Sequence, residues 1–390
     1  LIIAGCGSVG RSLWSLPVPA LSGFDEVVAV DRDPGARGWL PGRCRRFFRG
    51  DVNDPVFLRK TLHGLSLPVL FLNTASHADN LALRKVLAPF DAAYVDASAG
   101  LLDGGTELFM ERLMPYSCES VSGRRPHVIH FGVNPGMVEL IARKLMRDVP
   151  DGEYDVMIYE KDDLDAPLGE GRAAVAWSPA LLVEELLRCP SFEIVDGRRV
   201  EGACGPTRRI IALWEGREVP SRVVGHEEIW NFHGLGNVRN SRFVYGLHPA
   251  VMEALEKPPD EALRILEIPG EGIPLRGADR IAVEVRARGR GATRTLLWET
   301  DHRKTREAFG LNAVQYQTGA SILFLVDLLQ GSALGTAAGG TYTGSTLPLE
   351  ASLLDSLDVR LRSFGINWRD GSDLRLGTRD PAPPAAAAAG

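Results

Sequence analysis

Along the first third of the chain, short apolar runs alternate with stretches of helical period. Residues 1–4 are apolar and end in Gly5-Cys6-Gly7-Ser8-Val9-Gly10, after which residues 11–16 are helix-compatible, so the order is strand, glycine turn, helix. A second apolar run, residues 27–30, closes on Asp31, and strand-like runs follow at 69–72, 93–95 and 128–131. Between them, residues 79–87 set Leu81, Leu83 and Leu87 among charges at helical spacing. Strands alternating with helices predict an α/β fold: a doubly wound parallel sheet with helices on both faces.

The pattern changes beyond residue 137. Tyr154, Val156, Ile158 and Glu160 fall on one face of a strand over residues 154–161, and 280–288 with 293–299 read as an antiparallel pair joined by Gly-Arg-Gly. A second, mixed α/β substrate domain containing antiparallel strands is expected there. Residues 318–329, rich in Ile, Leu and Val, read as a helix that returns to the first domain. Residues 331–347 are Gly/Thr-rich and read as a loop, and 380–390 are low in complexity. The expected division is 1–136, 137–317, a returning segment 318–376, and a disordered tail 377–390.

Composition then narrows the partners. The chain has 390 residues, 45% hydrophobic and 24% charged, which suits two cores better than one domain of roughly 100–200 residues. With 44 basic against 50 acidic residues it lacks the basic balance of a nucleic-acid protein. Cysteines 6, 44, 118, 189 and 204 form no C-x-x-C pair and read as reduced thiols in a cytoplasm. The apolar stretch 319–329 is too short for a bilayer and carries Asp327, so no membrane partner is expected. The chain opens on strand-like Leu1-Ile2-Ile3 with no basic leader before it, and on Leu rather than Met, which leaves room for residues upstream.

Gly5, Gly7 and Gly10 fit G-x-G-x-x-G, in which the first glycine makes the turn, the second admits a pyrophosphate and the third allows close helix packing. The helix start at Ser8 and Val9 then offers free N–H groups to phosphates. Asp31, 21 residues beyond Gly10, is placed to accept hydrogen bonds from the adenosine ribose and to repel a 2′-phosphate, favouring NAD over NADP; Arg32 beside it weakens that preference. Asp51 sits where such domains reach the adenine, and Asn73-Thr74-Ala75 ends a strand on the nicotinamide side. A glycine turn in a cofactor-free α/β domain would show the same spacing.

Residues 128–131 run into Gly132-Val133-Asn134-Pro135-Gly136-Met137, where Asn before Pro reads as a helix cap. The glycine turn, Asn134-Pro135-Gly136-Met137, Tyr159-Glu160-Lys161-Asp162, Ala176-Trp177-Ser178, His226-Glu227-Glu228 and Val244-Tyr245-x-x-His248-Pro249 occur in this order. This ordered set resembles homospermidine synthase, a member of the saccharopine dehydrogenase-like superfamily, over residues 1–329. The resemblance implies a Rossmann-type domain holding NAD and an amine as small-molecule substrate. The amine would be oxidised to an imine, captured by a second amine, and the new Schiff base reduced by the same bound NADH. It also implies roles for Asn134 and Pro135 beside the cofactor, with Asn134 serving catalysis too, and makes a second copy of the chain, as a homodimer, the candidate protein partner.

A polyamine needs carboxylates for its ammonium groups and a cation-tolerant apolar surface between them. Glu160 ends the apolar face of its strand, where the core meets a cleft. Trp177 offers a ring face to a cation, worth about 0.5–2 kcal/mol. Glu185 follows eight residues later, just over two helical turns, so both are expected to face one cavity. On a strand, His226 and Glu228 would point the same way, a neutral imidazole taking an ammonium proton while the carboxylate steadies the cation. No zinc site is expected, because H-E-x-x-H needs His at the place of Trp230. Two positions depart from the family: His77, with Asp79 nearby, and Gly100 stand where it carries acids that help hold the far amine. Two other readings stay open. One is a saccharopine-type or carboxynorspermidine-type reductase using Arg239 or Arg242 for a substrate carboxylate; the other is a non-catalytic dinucleotide-binding module.

Overall fold

The structure, a computed structural model, describes residues 1–17, 19–99, 114–149, 152–202, 207–289, 291–331 and 339–379. Residues 380–390 of the expected tail, Cys204, Gly100 and residues 332–338 of the expected 331–347 loop lie outside them, whereas Gly377–Arg379, expected as the start of a disordered tail, is a strand paired with Arg209–Trp214.

The first sheet has seven parallel strands. They are β1 (Ile2–Ala4), β2 (Val27–Asp31), β3 (Cys44–Arg49), β4 (Val69–Asn73), β5 (Ala92–Asp96), β6 (Pro126–Val128) and the late strand Gly340–Tyr342. Their spatial order, from Gly340–Tyr342 through β6, β5, β4, β1 and β2 to β3, reverses between β1 and β4, the doubly wound arrangement with its crevice at the strand ends there. β1, β4 and most of β2 are buried on both faces, which is why they read as continuous apolar runs. β3, with Arg45, Arg46 and Arg49 around Phe47 and Phe48, lies at the half-exposed edge and gives no such run. The strand expected over 128–131 ends at Val128, and the chain turns away at His130, whose φ is +55°. Within the expected 331–347 loop, Gly340–Tyr342 instead pairs in parallel with β6.

The second sheet has ten strands of mixed direction. β7 (Tyr154–Asp162) lies parallel to Val238–Leu247 on one side and antiparallel to Ala278–Ala287 on the other, which in turn pairs with Thr293–Asp301. The inner face, carrying Val156 and Ile158, is covered by the helix Met137–Asp148 through Val138, Ile141 and Leu145. Glu160 and Asp162 continue the same buried face toward the end of β7.

The helix expected from residue 318 starts earlier, at Ala313, and runs to Gln330. Asn312 caps it, accepting from the Gln315 backbone while Gln315 answers with its side chain. It lies against α1 (Ser8–Ser15) so closely that a Cβ on Gly319 would come within 2.4 Å of Ser12 Oγ. One apolar cluster runs from Ile3 through Phe131 and Ile158 to Leu325, joining both sheets. No helix among the described residues is long and apolar enough to cross a membrane.

Candidate active site

The glycine turn separates two kinds of glycine. A Cβ on Gly5, at φ +84°, would come within 2.5 Å of the Ala75 backbone nitrogen, and one on Gly10 within 2.0 Å of the Gly5 carbonyl, so the protein's own packing demands both. A Cβ on Gly7 would meet nothing within 4 Å. α1 opens at Gly7 without a side-chain cap, leaving first-turn N–H groups for an outside acceptor. Beside the turn, Asp31, Asp51, Thr74 and Ala75 line a cavity with Gly5 and Gly7. The Asp31 carboxylate accepts from the backbone of Cys6 at 2.6 Å and of Asp33 at 2.8 Å, tying β2 to the turn. Asp51 accepts from the Asn53 backbone at 2.9 Å. Asn73 does not line this cavity: its carboxamide donates to Asn80 and Tyr94 within the first sheet's core. His77 does line it.

A second cavity lies where the turn faces the second sheet. Ser8, Val9, Asn134 and Pro135 form one side, and Glu160, Trp177, Glu185 and His226 the other, with Glu228 bonded to His226 just behind. The local routes differ from those expected. Asn134 caps no helix; its carboxamide donates to Glu160, and the cap is Gly136, where φ is +108° and a Cβ would come within 2.7 Å of Phe131 Cα. Trp177 precedes its helix, which Ser178 caps at Pro179–Val183, and Glu185 sits in the π-helical turn Glu184–Arg188 that follows. His226 and Glu228 are not strand neighbours. His226 is the extended N-cap of the helix Glu227–His233, and the turn into that helix brings its Nδ1 to Glu228 and to within 3.3 Å of Glu227. These three residues offer ligand atoms within 4.8 Å of one another, close enough to hold a metal ion, which the H-E-x-x-H spacing did not anticipate. Here the ion pair satisfies the imidazole instead.

Charge in this cavity is one-sided. Glu160, Glu184, Glu185 and Glu227 line it, and no lysine or arginine does among the described residues. Burial pushes the Glu185 carboxyl up to about 8, with Glu227 and Glu228 adding to it against the pull of His226. Burial, with Asp162 next, also raises Glu160, which Asn134 partly offsets. For His226 burial disfavours the charged ring, but Glu228 and Glu227 outweigh it and hold the pKa well above its ordinary value. The shift favours the protonated ring over the neutral imidazole expected from the sequence. Burial likewise opposes the Glu227 carboxylate, yet His226, His130 and the Ala99 N–H bring its pKa below the usual range.

Sequence reasoning passed over several groups. Phe243 and Tyr245 form a wall, with the Trp177 indole N–H donating to the Tyr245 hydroxyl at 3.3 Å. Gln315 donates to Ser8 Oγ at 2.7 Å, linking the long helix to the glycine turn. Asp279 is fully buried and pairs in register with Asp162; burial, then Glu160 and Asp162, raise its pKa well above the usual range, against a smaller pull from Gln317. Its signal was an acid in phase with Ile281, Val283 and Val285 on an apolar strand face. Arg239 and Arg242 stay out of the cavity: Arg239 donates to the Asp196 carbonyl, and Arg242 pairs with Glu193.

No family model matches the chain, and no curated protein matches it. Solved structures do. A homospermidine synthase from Legionella pneumophila, in complex with NAD, superposes with a TM-score of 0.71 at 13% identity, over 97% of this chain and 91% of that one. The chain has the homospermidine synthase fold. A saccharopine dehydrogenase (L-Glu forming) from Saccharomyces cerevisiae, in its apo form, follows with a TM-score of 0.58 at 12% identity, over 97% and 99% of the two chains. The homospermidine synthase fold therefore accounts for both sheets and the returning helix, not the first sheet alone.

Proposed function

We propose that the chain is an NAD-dependent oxidoreductase of the homospermidine synthase type, acting at a C–N bond of a diamine or related polyamine. The observation that carries this reading is the charge of the second cavity: four carboxylates, an imidazole and an indole, with no guanidinium or ammonium among the described lining residues. A polycationic amine finds partners there at every nitrogen. A substrate bearing a carboxylate, as the saccharopine-type and carboxynorspermidine-type reductases need, would find no guanidinium or ammonium there among the described lining residues, and His226 is already paired with Glu227 and Glu228.

In this reading residues 1–136 form the cofactor domain and the segment from 137 the substrate domain, with the helix Ala313–Gln330 and the strand Gly340–Tyr342 returning to the first and Trp368–Asp370 pairing with the second. Gly7, Ser8 and Val9 would hold the pyrophosphate, and Asp31, Asp51, Thr74 and Ala75 the adenosine half. Asn134 and Pro135 would border the nicotinamide. The vacant side-chain position at Gly7 fits that group, since the protein itself makes no use of the space. NAD, when bound, accepts hydride from the carbon bearing the nitrogen and returns it to the later Schiff base.

The chain's own residues do the rest. Glu160, fixed by Asn134, and Glu185 pair with ammonium groups, whose charge favours the carboxylates that burial alone disfavours, and one of the two carboxylates takes the single proton that the nitrogen to be oxidised must lose. Trp177, held by Tyr245, lines the cavity where a cationic iminium forms. His226, paired with Glu227 and Glu228, gives a proton to the product amine and regains one from the glutamic acid that took it, so the cycle closes with each group in its starting state. Spectrophotometry with candidate diamines tests the reading. With enzyme in excess over one diamine, transient formation of bound NADH that decays as the new Schiff base is reduced is expected; net NADH loss that requires both a carbonyl compound and an amine would favour the reductase, and dinucleotide binding without turnover the non-catalytic module.

A further inference from the structure

A buried acid outside the two cavities, Glu139, lies in the first turn of the helix Met137–Asp148. It is fully buried, and each of its oxygens accepts from a different segment. Oε1 accepts from Asn231 Nδ2 at 3.0 Å, on the helix Glu227–His233, and Oε2 accepts from the Ser345 backbone N–H. The loop is closed by Ser345, whose hydroxyl donates to the Asn231 carbonyl at 3.3 Å. One turn further along, Arg143 donates to the carbonyls of Gly344 and Leu347 at 3.0 and 2.8 Å, gripping the same C-terminal turn. The helix N-terminus favours a negative charge at this position.

The segment leading into the helix Met137–Asp148 therefore reaches the candidate site twice. Ahead of it, Asn134 holds Glu160; within its first turn, Glu139 holds the helix whose N-cap is His226 and whose first turn carries Glu228. We propose that Glu139 is a positioning residue, a buried carboxylate that sets where the helix Glu227–His233 presents His226 and Glu228. Two N–H donors converge on it, and only the carboxylate can accept from both. Burial pushes its pKa up to about 8, while the Asn231 and Ser345 donors limit the rise. A glutamine there keeps one acceptor and turns an N–H toward the other donor, leaving a buried donor unsatisfied.

The hydrogen-bond polarity supplies the experiment. Glu139→Gln and Asn231→Asp each break the pair, one by facing donors together and the other by facing carboxylates together. The double variant restores it in reverse, with the amide now on the helix Met137–Asp148 donating to the carboxylate now on the helix Glu227–His233 and still accepting from Ser345. The readout is the titration midpoint of the His226 ring by NMR, followed above pH 8, where Glu139 is ionised. In each single variant the midpoint is expected to fall by about one unit as the contact with Glu228 loosens, and to return in the double variant. In parallel, kcat for a diamine is expected to fall about tenfold with KM for NAD unchanged, and to recover with the swap. A midpoint unmoved in Glu139→Gln, with only the melting temperature lowered, or a double variant no better than the singles, overturns the proposal. The kinetic arm rests on the diamine reading given above. If the wild type turns over no amine, that reading fails while the His226 midpoint still decides the role of Glu139.

Discussion

Replacing Asp31 with asparagine or with alanine separates two jobs done by one carboxylate. Its oxygens tie the glycine turn to β2 through Cys6 and Asp33, and its charge faces the cavity assigned to the adenosine ribose. Asparagine keeps an acceptor for the Cys6 N–H and removes the charge. Alanine removes both and leaves a part-buried backbone donor unpaired, at a cost of about 1–3 kcal/mol. The repulsion of a 2′-phosphate by a half-exposed carboxylate is worth about 1–2 kcal/mol, or roughly 5–30-fold in affinity. Asp31→Asn is thus expected to narrow the NAD-over-NADP preference roughly tenfold with stability nearly unchanged. Asp31→Ala should also weaken both dinucleotides and lower the unfolding free energy by about 1–3 kcal/mol. Titration of both cofactors by fluorescence, beside denaturant unfolding, measures all four numbers. A wild type that binds NADP more tightly, or an asparagine variant with full discrimination, refutes the reasoning.

Gly7→Ala should leave the melting temperature close to that of the wild type, because its Cβ touches no protein atom, yet lose most dinucleotide binding; Gly10→Ala, with its Cβ 2.0 Å from the Gly5 carbonyl, should fail to fold. For Trp177, amine turnover should fall in the order wild type, Phe, Ala while NAD affinity barely changes, the first step losing the link to Tyr245 and the second the ring itself. Glu185 binds its proton up to about pH 8 in the free protein, whereas a bound cation favours the carboxylate. Diamine binding should therefore release protons near neutrality and tighten as pH rises through about 8, seen by calorimetry in buffers of different ionisation heat; Glu185→Gln should remove its share of the proton release and leave the share of Glu160.

The central strands were legible because burial on both faces writes them as unbroken apolar runs, and the glycine turn because steric demand at Gly5 and Gly10 leaves no other residue type. β3 was not, since an edge strand with one wet face tolerates the arginines of Cys44–Arg49, and three residues at Gly340–Tyr342 are too few to carry a period. Glu160, Trp177, Glu185 and His226 were chosen by chemistry and order, and they line one cavity, but the geometry that joins them was hidden. A π-helical turn re-aims Glu185, and a helix start rather than a strand brings His226 to Glu228. Tyr245 and Asp279 enter only through strand pairing with β7, a register between segments far apart in sequence. The charge state of His226 depends on acids that a linear reading cannot weigh against burial.

The late strand Gly340–Tyr342 and the helix Ala313–Gln330 carry a consequence for synthesis. The edge of β6 and the apolar side of α1 receive their partners only after most of the second sheet, from β7 to Thr293–Asp301, has been translated. Until then a nascent chain shows an open parallel edge and an uncovered helix, both invitations to aggregation. The two halves must therefore mature together, through contacts of long sequence separation that close slowly. A fragment stopped before residue 313 would not be a small dinucleotide-binding domain. It would be an unfinished sheet.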